Sequence, residues 1–231
     1  MSSLRIIIRK FRLMDINSVI DNEESRFIYV RNVFPEQWVG FIKKWAANLP
    51  LYGGTCISGK EIPRLQVWYH QGGHYFCDNW KVKYDRWRSE QYDAMLSSIQ
   101  SEIERKVRKL IDDDTVSFNS CLVNYYRDNR DSIKPHRDNF DSFGMNPIIA
   151  NYSIGSTRTI VIKKIKYSPD NIYSMKLDEN ETHNFTLELE HNSLFIMMGA
   201  SQKHFTHEIP ASPDETLEPR FSLTFRKHLK E

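Results

Sequence analysis

From about residue 118 onward, the chain consists of short strand-like segments separated by polar turns. The segments are rich in β-branched and aromatic residues, and turn-forming stretches such as the Ser-Pro-Asp-Asn run at 168–171 divide them. Many short strands at close spacing are typical of a closed or stacked antiparallel β architecture. The candidate strands are 118–126, 148–154, 158–165, 185–189, 193–198 and 220–227.

The half before residue 118 contains two predicted helices. Pro35 suits the first position of a helix, and apolar residues follow it at helical spacing from Trp38 to Leu49. A second helix is predicted over 89–110, where apolar residues from Tyr92 to Leu110 make one stripe. Its other face is charged, which is typical of a solvated surface. We therefore expect helices that pack against one side of a β core.

Length and composition favour one globular domain. A chain of 231 residues can bury a substantial core. Its best apolar run, 194–198, is far shorter than the roughly 20 residues of a membrane helix, and the apolar run near the N-terminus is too short for a signal-peptide core.

Cys56, Cys77 and Cys121 are scattered and suggest no disulfide framework, so we expect an intracellular location, in the nucleus or cytoplasm. Because the net charge is only +2, attraction to phosphate must come from local patches.

The final strand alternates strictly between apolar and polar residues. In an extended chain its three apolar residues face one side, whereas Arg220, Ser222, Thr224 and Arg226 share the other. This polar face could be solvated, or it could line an interior cavity that receives a dianion. Arginine suits the second task because its guanidinium matches a carboxylate with two parallel hydrogen bonds.

His136 and Asp138 form an H-x-D step, which in extended chain projects both side chains to the same side of the backbone. Two histidines and one carboxylate on one face of a metal leave three positions open. That is the arrangement of non-haem iron oxygenases, in which a cosubstrate and oxygen need vacant positions. Asn124 and Tyr126, in the strand that leads to His136, could give a dicarboxylate cosubstrate neutral hydrogen bonds.

The third ligand must be a histidine distant in sequence that the β core brings close. His204 and His207 lie three residues apart, so a strand would point them to opposite faces and only one could reach the metal. The residues alone do not separate these two. The full set of candidates is His183, His191, His204 and His207.

A series of motifs resembles the AlkB family of iron(II)- and 2-oxoglutarate-dependent dioxygenases. The segment 220–227 is especially similar to the DNA-repair branch of that family found in animals, as are 194–198 and 147–150. The resemblance covers about residues 50 to 227. In chain order, its main motifs are Asn124-x-Tyr126, His136-x-Asp138, His207 and the run from Arg220 to Arg226.

The resemblance implies a double-stranded β-helix, or jelly-roll, core that holds one iron(II). It makes His136, Asp138 and His207 the metal ligands, which chooses His207 over His204. It also implies a 2-oxoglutarate site in which Arg220 pairs with the distal carboxylate and Tyr126 assists. It places Asn124 and Arg226 near the end of 2-oxoglutarate that chelates iron, and Thr224 in the lining of the same pocket.

The resemblance further implies a substrate lid and a flipped-out base that stacks on aromatic side chains. The segment 63–66 resembles the lid, and the segment 51–53 resembles a short finger that enters the duplex, although an ordinary hydrophobic turn explains it equally well. Over the whole chain, 1–231, we expect one domain, with the N-terminal helices and nucleotide-recognition lid in 1–117 and the catalytic core in 118–231. The expected substrate-binding residues are Tyr52, Arg64, Tyr75, Phe76 and Asn139.

Two further features concern the substrate. Basic residues interleaved with aromatic ones occur at 81–88, and these could contact phosphate or belong to ordinary surface. Members of the DNA-repair branch carry acidic residues just after the metal-binding aspartate, whereas this chain has Asn139 and Phe140 there, with Asp141 next. The preferred base is therefore open. A second group of basic residues is Arg127, Arg130, Lys134 and Arg137.

The activity implied by the resemblance is oxidative demethylation of bases such as 1-methyladenine and 3-methylcytosine in DNA. Fe(II), 2-oxoglutarate and O2 would take part, and formaldehyde, succinate and CO2 would be released. We expect a monomer that binds alkylated DNA and no membrane. The alternatives are the same chemistry on RNA, a protein hydroxylase on the same fold, and a nucleic-acid-binding module without catalysis. The last fits poorly, because every metal and cosubstrate position holds a competent residue type.

Overall fold

The structure, a computed structural model, describes residues 5–6, 16–22, 24–55, 59–78, 87–178 and 184–231. Cys56, His183 and residues 81–86 of the basic segment lie outside the described residues. Within those residues, no helix is both long enough and apolar enough to cross a membrane.

Twelve strands are found in the described part of the chain. They are β1 (Arg5–Ile6), β2 (Ile16–Asn22), β3 (Ser25–Val30), β4 (Leu65–His70), β5 (Ser120–Tyr126), β6 (Ile133–His136), β7 (Ile149–Gly155), β8 (Arg158–Lys164), β9 (Phe185–Leu189), β10 (Ser193–Gly199), β11 (Phe205–Ile209) and β12 (Arg220–Arg226). The helices are α1 (Glu36–Ala46), α2 (Ala94–Ile111) and two short ones, α3 (Phe140–Phe143) and α4 (Ser201–His204).

The strands form two antiparallel sheets. The larger sheet has the spatial order β1-β2-β3-β10-β7-β12-β5-β4, and the smaller has the order β6-β11-β8-β9. Strands β1 to β4 precede residue 118, yet β3 and β4 pair directly with β10 and β5. Two antiparallel sheets, with the long helices on one side, confirm the predicted jelly-roll class.

All the candidate strands are present, with ends close to the predicted ones. Six of the observed strands are not among the candidates: β1, β2, β3, β4, β6 and β11. Strands β3 and β4 lack a two-residue alternation because residues on both of their faces are buried. Strand β6 is short and contains Pro135, and β11 follows directly on α4, so neither offers a long periodic segment.

The helices begin later than the sequence predicts. Pro35 precedes α1 as its N-cap instead of occupying its first position. Helix α2 begins at Ala94 and not near 89, because the Asp93 carboxylate accepts a hydrogen bond from the backbone N–H of Leu96 at 2.7 Å. Before Ala94 the chain lies beside β4 instead of forming a helix: the backbone N–H of Glu90 donates to the carbonyl of Trp68 at 2.8 Å.

The apolar side chains form two main layers. Helices α1 and α2 cover the outer face of the larger sheet, where Leu223 and Phe225 of β12 are buried. A second cluster, which includes Phe195 of β10 and Ile162 of β8, fills the space between the two sheets. The polar face of β12 points away from the helices and is buried, so the solvated interpretation of its arginines is wrong. The interpretation that this face receives a dianion stays a prediction.

Candidate active site

His136, Asp138 and His207 come together at one end of the smaller sheet. Strands β6 and β11 are neighbours, and their register places His136 directly opposite His207. The two imidazole rings have centroids 4.1 Å apart. Asp138 follows β6 by two residues, and ligand atoms of all three side chains lie within 4.8 Å of one another. The donor set of two imidazoles and one carboxylate fits a divalent iron that keeps open positions.

The protonation states of this cluster suit a metal. Burial lowers the pKa of both histidines, and that of His207 falls to about 3. The Nδ1 of His136 is hydrogen-bonded to the carbonyl of Lys134 at 2.8 Å, so the proton belongs on Nδ1 and the Nε2 lone pair is available. Burial raises the pKa of Asp138, but Arg226 and the histidines outweigh it and hold that pKa below its ordinary value. Neutral imidazoles and an ionised carboxylate are the forms that bind cations.

Arg226 and Gln202 hold Asp138 in place. The guanidinium of Arg226 donates to both carboxylate oxygens, at 3.1 Å for the Nη2 contact, and both side chains are buried. The backbone N–H of Asp138 donates to Oε1 of Gln202 at 2.9 Å. A carboxylate accepts about four hydrogen bonds or ligands, so this fork leaves acceptor capacity for a cation.

The other histidine candidates in the described residues lie elsewhere. His204 is the last residue of α4, and its Nε2 contacts the Glu24 carboxylate at 2.7 Å. The Nδ1 of His191 accepts a hydrogen bond from the backbone N–H of Gly155 at 3.0 Å. The three-residue spacing of His204 and His207 therefore spans the end of a helix and the start of a strand, not a single strand.

Arg220 is a buried cation with unused donors. Its Nη2 donates to Oγ of Ser153 at 2.8 Å, while Nε and Nη1 have no hydrogen-bond partner among the described residues. The guanidinium lies over the Tyr126 ring, 5.1 Å from its centroid. Burial lowers the pKa of Arg220 to about 10, although Tyr126 acts in the opposite direction. Leaving such donors unpaired is costly, and a carboxylate would satisfy both of them.

Thr224 and Asn124 lie in polar networks on the same side of the larger sheet. Oγ1 of Thr224 accepts from Nδ2 of Asn151 at 2.8 Å, and the same amide donates to Ser222 at 2.7 Å. Oδ1 of Asn124 accepts from Nε of Arg64 at 2.9 Å. The sequence analysis missed Asn151, although β7 alternates between polar and apolar residues around it in the same way as β12.

A cavity of about 710 Å³ opens in front of the metal-ligand cluster, which is an ordinary size for a small-molecule site. His136 and Asp138 lie in its wall together with Arg226. Of the expected substrate-binding residues, the structure brings three to this wall: Arg64, Phe76 and Asn139. Asn139 also caps α3, because its Oδ1 accepts from the backbone N–H of Ser142 at 2.9 Å.

Tyr52 and Tyr75 are not in the cavity wall. Tyr52 is exposed, and its hydroxyl donates to the Glu90 carboxylate at 2.8 Å. Tyr75 packs against the buried aromatic cluster that contains Phe76. Trp87, which was not among the expected residues, lines the cavity, and its ring lies 4.7 Å from that of Phe76. Its position at the end of the basic and aromatic segment 81–88 was the available clue.

The basic residues divide into two groups. Arg127 pairs with Asp131 at 2.8 Å, and Arg130 pairs with Asp128 at 2.6 Å, so carboxylates already neutralise them. Lys134 and Arg137 line the cavity, as does Lys60. Within the described residues, Lys60 and Lys134 form no ion pair, and both are exposed.

Comparison with known proteins places this site in a family. A model described as the 2OG-Fe(II) oxygenase superfamily matches residues 27–226. The alpha-ketoglutarate-dependent dioxygenase alkB homolog 3 of Mus musculus is 31% identical over 164 residues, which cover 71% of this chain and 51% of that protein. The DNA oxidative demethylase ALKBH2 of Bos taurus is 34% identical over 113 residues, or 49% of this chain and 38% of that protein. The chain thus spans about half the length of the alkB homolog 3 proteins it matches, or less for ALKBH2.

Solved structures show the same fold at low identity. The structure of OsALKBH1 has a TM-score of 0.60 and 14% identity, and the match covers 91% of this chain and 100% of that one. A prolyl hydroxylase of Trichoplax adhaerens has a TM-score of 0.51 and 11% identity, and the match covers 87% of this chain and 83% of that one. Because the family model spans most of the sequence and the curated relatives are AlkB homologues, the chain belongs to the 2OG-Fe(II) oxygenase superfamily and, within it, to the AlkB family.

Proposed function

We propose that the protein is an Fe(II)- and 2-oxoglutarate-dependent demethylase of N-alkylated nucleic-acid bases, with 1-methyladenine and 3-methylcytosine in DNA as substrates. One observation carries the proposal: two members of a cluster of two histidines and one aspartate, His136 and Asp138, lie in the wall of a cavity that is also lined by buried aromatic rings and by cations. The names of the ALKBH2 relatives, DNA oxidative demethylases, support the choice of DNA.

The cofactors have residues that fit them. His136, Asp138 and His207 would hold the iron, and Arg220 with Tyr126 would hold the far carboxylate of 2-oxoglutarate. Asn124, Thr224 and Arg226 would complete the pocket. Held there, iron(II) with 2-oxoglutarate and O2 would supply oxidation of the alkyl carbon, with release of succinate, CO2 and, from a methyl group, formaldehyde.

The protein's own residues supply position and charge. Burial of Arg220 and Arg226 removes competing water, so their attraction for a dianion is stronger than at a surface. Arg226 also fixes the orientation of Asp138, and Gln202 fixes the backbone that carries it. The metal-ligand cluster is complete within one chain, and we propose that the protein acts as a monomer.

The aromatic wall is where a flipped base would lie. Phe76 and Trp87 present rings to the cavity, and base–aromatic stacking is the usual way to hold an extruded base. Arg64 and Asn139 would add polar contacts from the same wall. Tyr75 would support Phe76 from behind, and Tyr52, outside the cavity, would contact the nucleic acid beyond the reacting base.

The test is turnover on matched oligonucleotides. The wild-type protein is supplied with iron(II), ascorbate and 2-oxoglutarate, and with DNA or RNA strands that carry 1-methyladenine or 3-methylcytosine. Formaldehyde and succinate are both measured. The inactive control is His207→Gln, and the matched control is His204→Gln, which changes a histidine three residues away that lies outside the cluster.

We expect formaldehyde and succinate in equal amounts from the wild type and from His204→Gln, and neither from His207→Gln. Faster turnover of RNA than of DNA would keep the chemistry and change the substrate. Succinate without formaldehyde on any methylated strand would contradict the demethylase proposal, and the absence of both products would contradict catalysis.

A further inference from the structure

A segment that the active-site motifs do not include forms one side of the cavity mouth. We call residues 172–177, which follow a short 3₁₀ turn at Pro169–Asn171, the strap. Tyr173 and Met175 of the strap line the same cavity as His136 and Asp138. Both are nevertheless exposed, Tyr173 by 58% and Met175 by 47%. The strap therefore presents apolar side chains to solvent beside the metal-ligand cluster.

The strap is anchored, so this exposure is built into the fold. Nη2 of Arg137 donates to the carbonyl of Ile172 at 2.6 Å. The Tyr173 hydroxyl donates to the Asp141 carboxylate at 3.2 Å, and its ring lies 6.4 Å from that of Phe140. At the other end, the backbone N–H of Lys166 donates to the carbonyl of Lys176 at 2.9 Å. Arg137 and Asp141 both come from the chain around the H-x-D motif, so the strap is tied directly to the metal-ligand segment.

The aromatic residues of the cavity differ in depth. Phe76 and Trp87 are buried, whereas Tyr173 is more than half exposed. A base that reaches the metal-ligand cluster must pass the mouth, and the nucleotide attached to it must remain there. The half-exposed ring and the polarisable thioether of Met175 suit the face of that neighbouring base, since every base has a π-face.

The charges around the mouth favour a nucleic-acid strand over an apolar peptide. Lys60 and Lys134 are exposed, line the cavity and form no ion pair among the described residues. The Nη1 of Arg137 is buried without a hydrogen-bond partner in the described chain. The carboxylate of Asp141 is already engaged by Tyr173. An aromatic shelf beside unpaired cations is the combination that binds unpaired nucleotides.

We propose that the strap is a docking surface for the unpaired nucleobase next to the one being demethylated, with Tyr173 as the stacking residue and Met175 as its apolar neighbour. This inference rests on the proposed function and adds a strand preference to it. In a duplex the neighbouring base is already stacked and paired, so the contact is made fully only with single-stranded substrate.

The test is a double-mutant cycle on binding. A fluorescent DNA hexamer with 1-methyladenine at its third position is compared with hexamers in which the 5′ or the 3′ neighbour of that base is abasic. Binding is measured by anisotropy without 2-oxoglutarate, so that no turnover occurs. The proteins are wild type, Tyr173→Ala and Tyr173→Phe. The phenylalanine variant keeps the ring but loses the bond to Asp141, and so separates stacking from anchoring of the strap.

We expect Tyr173→Ala to weaken binding of the intact hexamer about 5- to 100-fold, the range for loss of one base–aromatic stack. Tyr173→Phe should bind within about threefold of wild type. With one of the two abasic hexamers, wild type and Tyr173→Ala should bind equally. Placing the same sequence in the middle of a duplex of about 20 base pairs should reduce the effect of Tyr173→Ala to less than about twofold.

Failure of this inference can be told apart from failure of the proposed function. If wild type demethylates the hexamer but Tyr173→Ala weakens intact and abasic hexamers equally, or weakens neither, the strap is not a base-docking surface and the demethylase proposal stands. If wild type neither binds nor demethylates the hexamer, both proposals are wrong.

Discussion

Replacing Asp138 by alanine should lower the free energy of unfolding, for a reason that does not involve iron. Asp138 and Arg226 form a buried pair whose side chains are only 4% and 5% exposed. Truncation of the carboxylate leaves the guanidinium buried without its partner, and breaking a buried pair in this way costs about 3–5 kcal/mol. For a domain of this size that corresponds to a fall in Tm of about 6–20 °C.

The assay is thermal and urea unfolding of protein stripped of metal by a chelator, so that lost iron binding does not contribute. The double variant Asp138→Ala with Arg226→Met removes both charges. It should recover most of the lost stability, since a buried ion pair can often be replaced by apolar side chains at little cost. His207→Gln removes a metal ligand without isolating Arg226 and should cost less than Asp138→Ala.

An Asp138→Ala protein as stable as wild type would refute this reasoning, as would a double variant no more stable than the single one. If the expectation holds, loss of activity in Asp138→Ala reports instability as well as lost iron. That is why His207→Gln is the better inactive control in turnover assays.

Three further predictions follow from single side chains. Arg220→Met should raise the KM for 2-oxoglutarate about 10- to 100-fold, because charged hydrogen bonds to the cosubstrate are lost. The same variant should raise the Tm of the ligand-free protein, because it removes a buried cation with unsatisfied donors. A lower Tm of the ligand-free variant would contradict this second expectation. His70 is buried beside His228 and His74, and its pKa is lowered to about 4. Between about pH 6.5 and pH 4, this histidine therefore binds a proton in the unfolded chain but not in the folded one. The free energy of unfolding should therefore fall from pH 6.5 toward pH 4, with a slope of up to about 1.4 kcal/mol per pH unit from this residue, and His70→Gln should flatten that slope in urea titrations; an unchanged slope would count against it. Asp93→Ala should cost about 1–2 kcal/mol in the same titrations, because it removes both the cap of α2 and the hydrogen bond that Nε1 of Trp45 donates to the same carboxylate at 2.6 Å; no loss would mean that neither contributes.

Local patterns in the sequence predict the strands of the C-terminal half that alternate or are rich in β-branched residues, and they bring together two of the three residues of the metal-ligand cluster. Alternation in β12 separated buried arginines from residues that contact the helices, and the H-x-D spacing placed two ligands on one side of the chain. The choice between His204 and His207 could not be made from spacing, because it depends on a one-turn helix, α4, that ends at His204. Only the family resemblance selected His207.

The substrate side was less predictable, because several aromatic residues of the cavity wall come from separate loops. Phe76, Trp87 and Tyr173 come from three segments with no common period, and only their packing around one cavity relates them. Tyr52 illustrates the opposite case, a residue nominated by local similarity whose side chain lies outside the cavity wall. Strands β3 and β4 were missed because burial on both faces removes the alternation that identifies a strand.

The most direct test of the central claim is calorimetric titration of the metal-free protein with manganese(II), a redox-stable substitute for iron(II), followed by 2-oxoglutarate. We expect wild type and His204→Gln to bind one manganese ion and then one 2-oxoglutarate, whereas His207→Gln should lose metal binding and, with it, most of its affinity for 2-oxoglutarate. Equal metal binding by His207→Gln and His204→Gln would contradict the assignment of His136, Asp138 and His207 as the iron site.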